Sequence, residues 1–103
     1  MLTKEEAQAL VSNELLKDTS QSIINRGDAI VVIEKYTIEK PYGWIFFYNS
    51  KKFLETRERR FAVYGGGPAV VNKHTGAMEF FGSGMRVEES IREYERKLAG
   101  HNT

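Results

Sequence analysis

Trp44-Ile45-Phe46-Phe47-Tyr48-Asn49, entered through the turn-forming Lys40-Pro41-Tyr42-Gly43, is the stretch on which the fold depends. Successive side chains of an extended strand point to opposite faces. Trp44, Phe46 and Tyr48 therefore share one face and Ile45 and Phe47 the other, and both faces are apolar. Residues 29–38 on the near side are rich in Ile and Val. Two such runs around a Pro-Tyr-Gly turn predict an antiparallel hairpin.

Beyond the hairpin, residues 51–60 are charged around Phe53-Leu54 and read as a loop or irregular crossover leading to Phe61-Ala62-Val63-Tyr64. Gly65-Gly66-Gly67-Pro68 then ends whatever precedes it, because consecutive glycines disfavour the interior of helix and strand alike. It is not a phosphate-cradling loop. That motif needs a Lys and a Ser/Thr leading into a helix, whereas Pro68-Ala69-Val70-Val71 leads into a strand. The expectation is a structural turn, or a loop pressed against another backbone. Residues 69–72, the turn Lys73-His74-Thr75-Gly76 and residues 77–81 form a second predicted hairpin, with Gly82-Ser83-Gly84 closing the sheet.

A helix is expected on either side of these strands. Thr3-Lys4-Glu5-Glu6 has the form of a capping box, with the Thr3 hydroxyl on the Glu6 amide and the Glu6 carboxylate on the Thr3 amide. Ala7, Leu10, Val11 and Leu15 follow at helical spacing over residues 4–17, and Leu2 is placed to staple onto Ala7. Residues 18–28 form a polar connector in which Ile23-Ile24 either docks or begins a strand. At the far end Val87, Ile91, Tyr94 and Leu98 mark the buried stripe of an amphipathic helix over residues 87–99, with Gly100 as its stop. The predicted class is α+β: an N-terminal helix, an antiparallel meander of about four strands and a C-terminal helix, both helices on one face of the sheet.

The chain has 103 residues, 41% hydrophobic and 28% charged, which suits a single domain over residues 1–103. A chain of this size buries only about two-thirds of its unfolded surface, which leaves little for an enclosed cofactor site. There is no cysteine. Disulfides, thiolate metal sites and a cysteine nucleophile are excluded. No apolar run approaches the roughly 20 residues of a membrane span, and the early acids give no secretory signal. A cytoplasmic protein is expected, without a membrane role. The two histidines, His74 and His101, and the two aspartates, Asp18 and Asp28, suggest neither a hydrolytic triad nor a metal cluster, and the spacing of the twelve glutamates singles out no pair. The expectation is a non-enzymatic protein without cofactor or metal.

Net charge is +1, but residues 51–60 carry Lys51, Lys52, Arg57, Arg59 and Arg60 against Glu55 and Glu58, a local excess of three. This run reads as a solvated crossover, as a site for an acidic protein partner or, least of all, as a site for single-stranded nucleic acid with Phe53, Phe61 and Tyr64 beside it. Of twelve aromatic residues none lies in the first 35 positions and eleven fall between Tyr36 and Phe81. With both helices on one face, part of this aromatic surface stays open unless Phe53 and Leu54 of the crossover seal it.

From Gly43 onward the sequence resembles the immunity protein 35 family, which includes the YrhB-type small bacterial proteins. The matching landmarks are Gly43-Trp44-Ile45-Phe46-Phe47, Phe53-Leu54-Glu55-Thr56, Gly67-Pro68-Ala69-Val70-Val71-Asn72-Lys73 with Thr75-Gly76, and Gly82-Ser83-Gly84 ahead of the helix containing Tyr94-Glu95. Where the family pattern has an Asp-rich strand turn, this chain has Asn72-Lys73-His74-Thr75. The resemblance implies an intracellular bacterial protein, encoded beside a polymorphic or contact-delivered toxin, that protects the cell by binding that toxin. YrhB-type relatives suggest the alternative of a small chaperone-like protein with an exposed aromatic sheet face. No catalytic residues are implied. The shared motifs describe the scaffold, so contact residues are chosen on physical grounds. Interface anchors are enriched in Trp, Tyr and Arg, which selects Trp44, Tyr48, Tyr64, Arg57, Arg59 and Arg60, with Glu55 and Glu58 as rim charges. Trp44 reads equally well as core. A monomer or weak dimer is expected.

Overall fold

In a computed structural model, residues 1–63, 67–82 and 84–100 are described, Asp18 by its backbone alone. The capping box forms as read: the Glu6 amide donates to Thr3 Oγ1 at 3.2 Å and the Thr3 amide to Glu6 Oε1 at 2.9 Å. Helix α1 (Lys4–Asp18) follows from it, with Ala7, Val11 and Leu15 buried. Leu10, expected on the same stripe, is 38% exposed. The connector folds as a short helix α2 (Gln21–Asn25), in which Ile23 is half-buried and Ile24 exposed.

The long hairpin is present, and its first arm is broken. Strands β1 (Ile30–Val32) and β2 (Ile38–Lys40) flank a 3-10 turn at Glu34–Tyr36, and the second arm is divided into β3 (Gly43–Phe46) and β4 (Tyr48–Ser50). Ile38 faces Ile45 and Val32 faces Tyr48, so six steps on one arm match three on the other. The 3-10 turn absorbs the extra residues, and the hairpin becomes two sheets. One is the β1–β4 pair. The other has the order β2-β3-β5-β6, with β5 (Ala69–Asn72) and β6 (Met78–Phe80) as the second hairpin.

Two glycines allow the four-stranded sheet to close. A Cβ on Gly43 would collide with the Val71 carbonyl across the β3–β5 pair, and one on Gly67 would collide with the Phe81 carbonyl. The second contact is the loop against backbone expected of the glycine run, whose Gly65 and Gly66 lie outside the described residues.

The alternation along β3 decides the layers. Trp44 and Phe46 join Ala69 and Val71 under Ala7, Val11 and Leu15 of α1, with Tyr48 packed against the same cluster. Ile45 and Val70 join Phe81, Ile91 and Tyr94 on the opposite face, beneath α4 (Val87–Gly100), with Phe47 beside them. The helices therefore lie on opposite faces, which corrects the expectation of one helical layer. A strand apolar on both sides needs a cover on each. It follows that no wide aromatic face is open: among the described aromatic residues only Tyr36, at 50%, and Phe80, at 39%, are classed as exposed. Phe53 and Leu54 are not needed as a seal. The helix α4 continues through Gly100, and its Lys97 reaches Glu79 of β6 at 3.1 Å.

Candidate functional site

The charged crossover is neither a loop nor irregular. Residues 51–56 form helix α3 (Lys51–Thr56), followed by a 3-10 turn at Arg59–Phe61. Six residues are too few for a helix that holds itself together, so its stability has to come from outside. It comes from Asp28, whose side chain is fully buried. Asp28 Oδ1 accepts from the Ala29 amide at 2.8 Å and the Lys52 amide at 3.0 Å. Oδ2 accepts from Arg26 Nε and Nη2 at 3.0 and 2.7 Å and from the Ser50 hydroxyl. Ser50 Oγ in turn accepts from the Phe53 amide at 3.1 Å, so the N-cap of α3 is itself seated on the carboxylate. Burial alone would raise the pKa of Asp28, but the hydrogen bonds from Ser50, Lys52, Arg26 and Ala29 hold it well below the usual carboxylate range.

The far end of the segment is pinned as well. The Val63 amide donates to Asn49 Oδ1 at 2.8 Å, and Arg26 Nη2 donates to the Phe61 carbonyl at 3.0 Å. The half-buried Phe61 ring then gathers cations: Arg60 lies 4.6 Å, Arg26 5.2 Å and Lys52 5.6 Å from its centroid. Arg57 lies 5.9 Å from the Phe53 centroid. It also closes α3 with φ +61°, the only non-glycine with positive φ among the described residues.

The expected contact residues divide into three groups. Glu55, Arg57, Glu58, Arg59 and Arg60 are all exposed and lie within this short segment. Arg60 pairs with Glu58 at 3.3 Å, both largely in solvent, while Arg57 and Arg59 have no ion pair among the described residues. Trp44 is 7% exposed and belongs to the core under α1, so it contributes to stability and not to the surface. Tyr48 is half-buried in the same cluster, donates its hydroxyl to the Gly67 carbonyl at 2.6 Å and meets the edge of Phe80. Tyr64 lies outside the described residues, as does His101. Arg26 and Asp28 carry no signal of this role in the sequence, whereas Lys52 belongs to the basic run and Phe61 is one of the aromatics beside it.

His74 is exposed at the tip of the second hairpin, where Asn72 builds the turn by accepting the His74 and Thr75 amides at 2.9 and 3.1 Å. Tyr42, Tyr94, Leu98 and Ala77 line a shallow groove beside this turn. Polar groups in and around it already have partners: Tyr42 donates to Glu95 at 3.0 Å, Lys40 reaches the same oxygen at 3.5 Å, and Lys97 is on Glu79. Among the described residues there is no group of three or more His, Asp or Glu side chains placed to hold a metal, and no helix long and apolar enough to cross a membrane.

The family model described as Immunity protein 35 matches residues 5–97. A protein of Escherichia coli (strain K12) named "Uncharacterized protein YrhB" is 32% identical over 57 residues, covering 55% of this chain and 61% of that protein. The match therefore spans less than two-thirds of the relative's length. No solved structure matches.

Proposed function

The chain belongs to the immunity protein 35 family, and on that premise we propose that it protects a bacterial cell by binding a protein toxin stoichiometrically. The family match over residues 5–97 carries this reading. The toxin is the product of the adjacent gene, met in the cytoplasm, and the inhibitor works by occupancy, without catalysis and without a cofactor. Its contact surface is the segment 51–61, with Arg57, Arg59 and Arg60 as the anchors, Glu55 and Glu58 at the rim, and Tyr48 and Tyr64 flanking them in sequence. The exposed, clustered placement of the five charged residues supports this choice. A chaperone-like protein working through an open aromatic sheet face loses its premise, since Trp44, Phe46, Phe81 and Tyr94 are buried beneath the two helices.

Co-expression with the neighbouring open reading frame, followed by size exclusion and titration calorimetry of the purified pair, tests the proposal. A 1:1 complex together with rescued growth is expected. A neighbour that is neither toxic nor bound would overturn it, and suppression of client aggregation would then be the activity to measure.

A further inference from the structure

Resting on the binding role proposed above, we infer that residues 51–61 receive an acidic protein surface, and that Arg57 is held in a strained backbone conformation in order to present its guanidinium there. Three observations carry this. First, Arg26, Lys51, Lys52, Arg57, Arg59 and Arg60 stand against Asp28, Glu55 and Glu58, leaving three positive charges in excess on a small surface. Asp28 is buried and already committed to Arg26, so it screens nothing outside. Second, the cations are preorganised. The Phe61 ring and backbone bonds restrain Arg26, Lys52 and Arg60 before any partner arrives, which lowers the entropy lost on binding. Third, Arg57 occupies the left-handed position at the end of α3, where glycine is the unstrained residue. A large cation kept at such a position points to use of its side chain.

The same geometry argues against nucleic acid. Binding single strands needs aromatic faces free to stack bases, and Phe53 and Phe61 are half-buried beneath the protein's own cations.

The test titrates the isotope-labelled full chain with polyglutamate and, separately, with oligothymidylate, following backbone amide shifts. Polyglutamate should move the amides of residues 51–61 and Arg26, with an effect that fades as salt is added. No shifts, or shifts elsewhere, would overturn the inference, as would oligothymidylate moving these amides at lower concentration. In parallel, affinity for the adjacent-gene product is measured. Arg57→Gly should weaken it by about tenfold while the thermal midpoint holds or rises, since glycine relieves the strain. The combined R57E/R59E/R60E variant should weaken it by about a hundredfold. Undiminished binding by these variants removes the surface while leaving immunity intact. A wild-type chain that captures nothing removes the immunity reading, and polyglutamate then decides the surface alone.

Discussion

The molecule contains two regions held together by different physics. The four-stranded sheet with α1 and α4 is dry: Phe46, Ile45, Val70 and Val71 are fully buried, and its two faces are sealed by apolar side chains. Among the described residues, the annex formed by residues 26–32 and 48–63 meets that core through Ile30, Val32 and Tyr48, and is otherwise organised around the Asp28 carboxylate and the Phe61 ring. The side chains buried in that core carry no charge, and its ionised groups, the Glu6 cap and the Lys97–Glu79 and Lys40–Glu95 pairs, lie at its margin. The annex presents charged groups to solvent, and its shape depends on one ionised side chain. A surface built this way is ordered without being apolar.

The largest expected effect lies in the core. Phe46→Ala should cost about 3–5 kcal/mol in urea unfolding, a large share of the roughly 5–15 kcal/mol typical of a domain. A cost below 1 kcal/mol would mean that the sheet is not the stable half.

Asp28→Asn comes next, at about 2–3 kcal/mol, because it removes charge-assisted bonds and leaves buried donors poorly matched. Hydrogen exchange should accelerate across residues 51–61 while the β3 and β5 amides stay protected. Uniform acceleration would erase the distinction between the regions. The pH dependence has a definite sign. Asp28 titrates lower in the folded chain than in the unfolded one. Its stabilisation is therefore complete above an unfolded pKa of about 3.9 and is lost as acid approaches the folded value. The gap between wild type and Asp28→Asn should be flat near neutrality and close as pH falls below about 4.

Thr3→Ala removes half of the capping box and should cost about 1 kcal/mol at neutral pH, read from the thermal midpoint. Smallest of all, Arg60→Gln breaks an ion pair whose side chains are 73% and 50% exposed. It should shift stability by no more than about 0.5 kcal/mol. A larger loss would show that the cations around Phe61 hold the annex up as well as decorate it.

What could be read in the sequence was whatever repeats locally. Thr3 and Glu6 announce α1, the alternation through Trp44–Tyr48 announces a strand wet on neither side, and Val87, Ile91, Tyr94 and Leu98 announce α4. A strand apolar on both sides already calls for two covers, but periodicity identifies a buried face without saying which partner buries it, so which helix covers which face was not legible. Glu34-Lys35-Tyr36 reads as exposed strand within a Val- and Ile-rich run, and only the three-step mismatch against β4 shows the insertion. At the site, the basic run was visible as composition. Asp28 was not, because one carboxylate in a polar connector looks solvated until the chain places five donors around it. In the sequence Phe61 only marks the end of the crossover and one aromatic beside the basic run, and its role depends on Arg26, thirty-five positions away.

The neighbours β3 and β5 pair Phe46 with Ala69, so the chain that leaves the sheet after residue 46 must return to the same place. Closing such an excursion costs free energy that grows only with the logarithm of its length, about 0.6 kcal/mol for each doubling. Up to residue 63, short of Gly67 and its contact with the Phe81 carbonyl, the excursion can thus be lengthened, shortened or exchanged with little effect on the register of the four-stranded sheet. A designer could graft a foreign recognition segment between the same two strands.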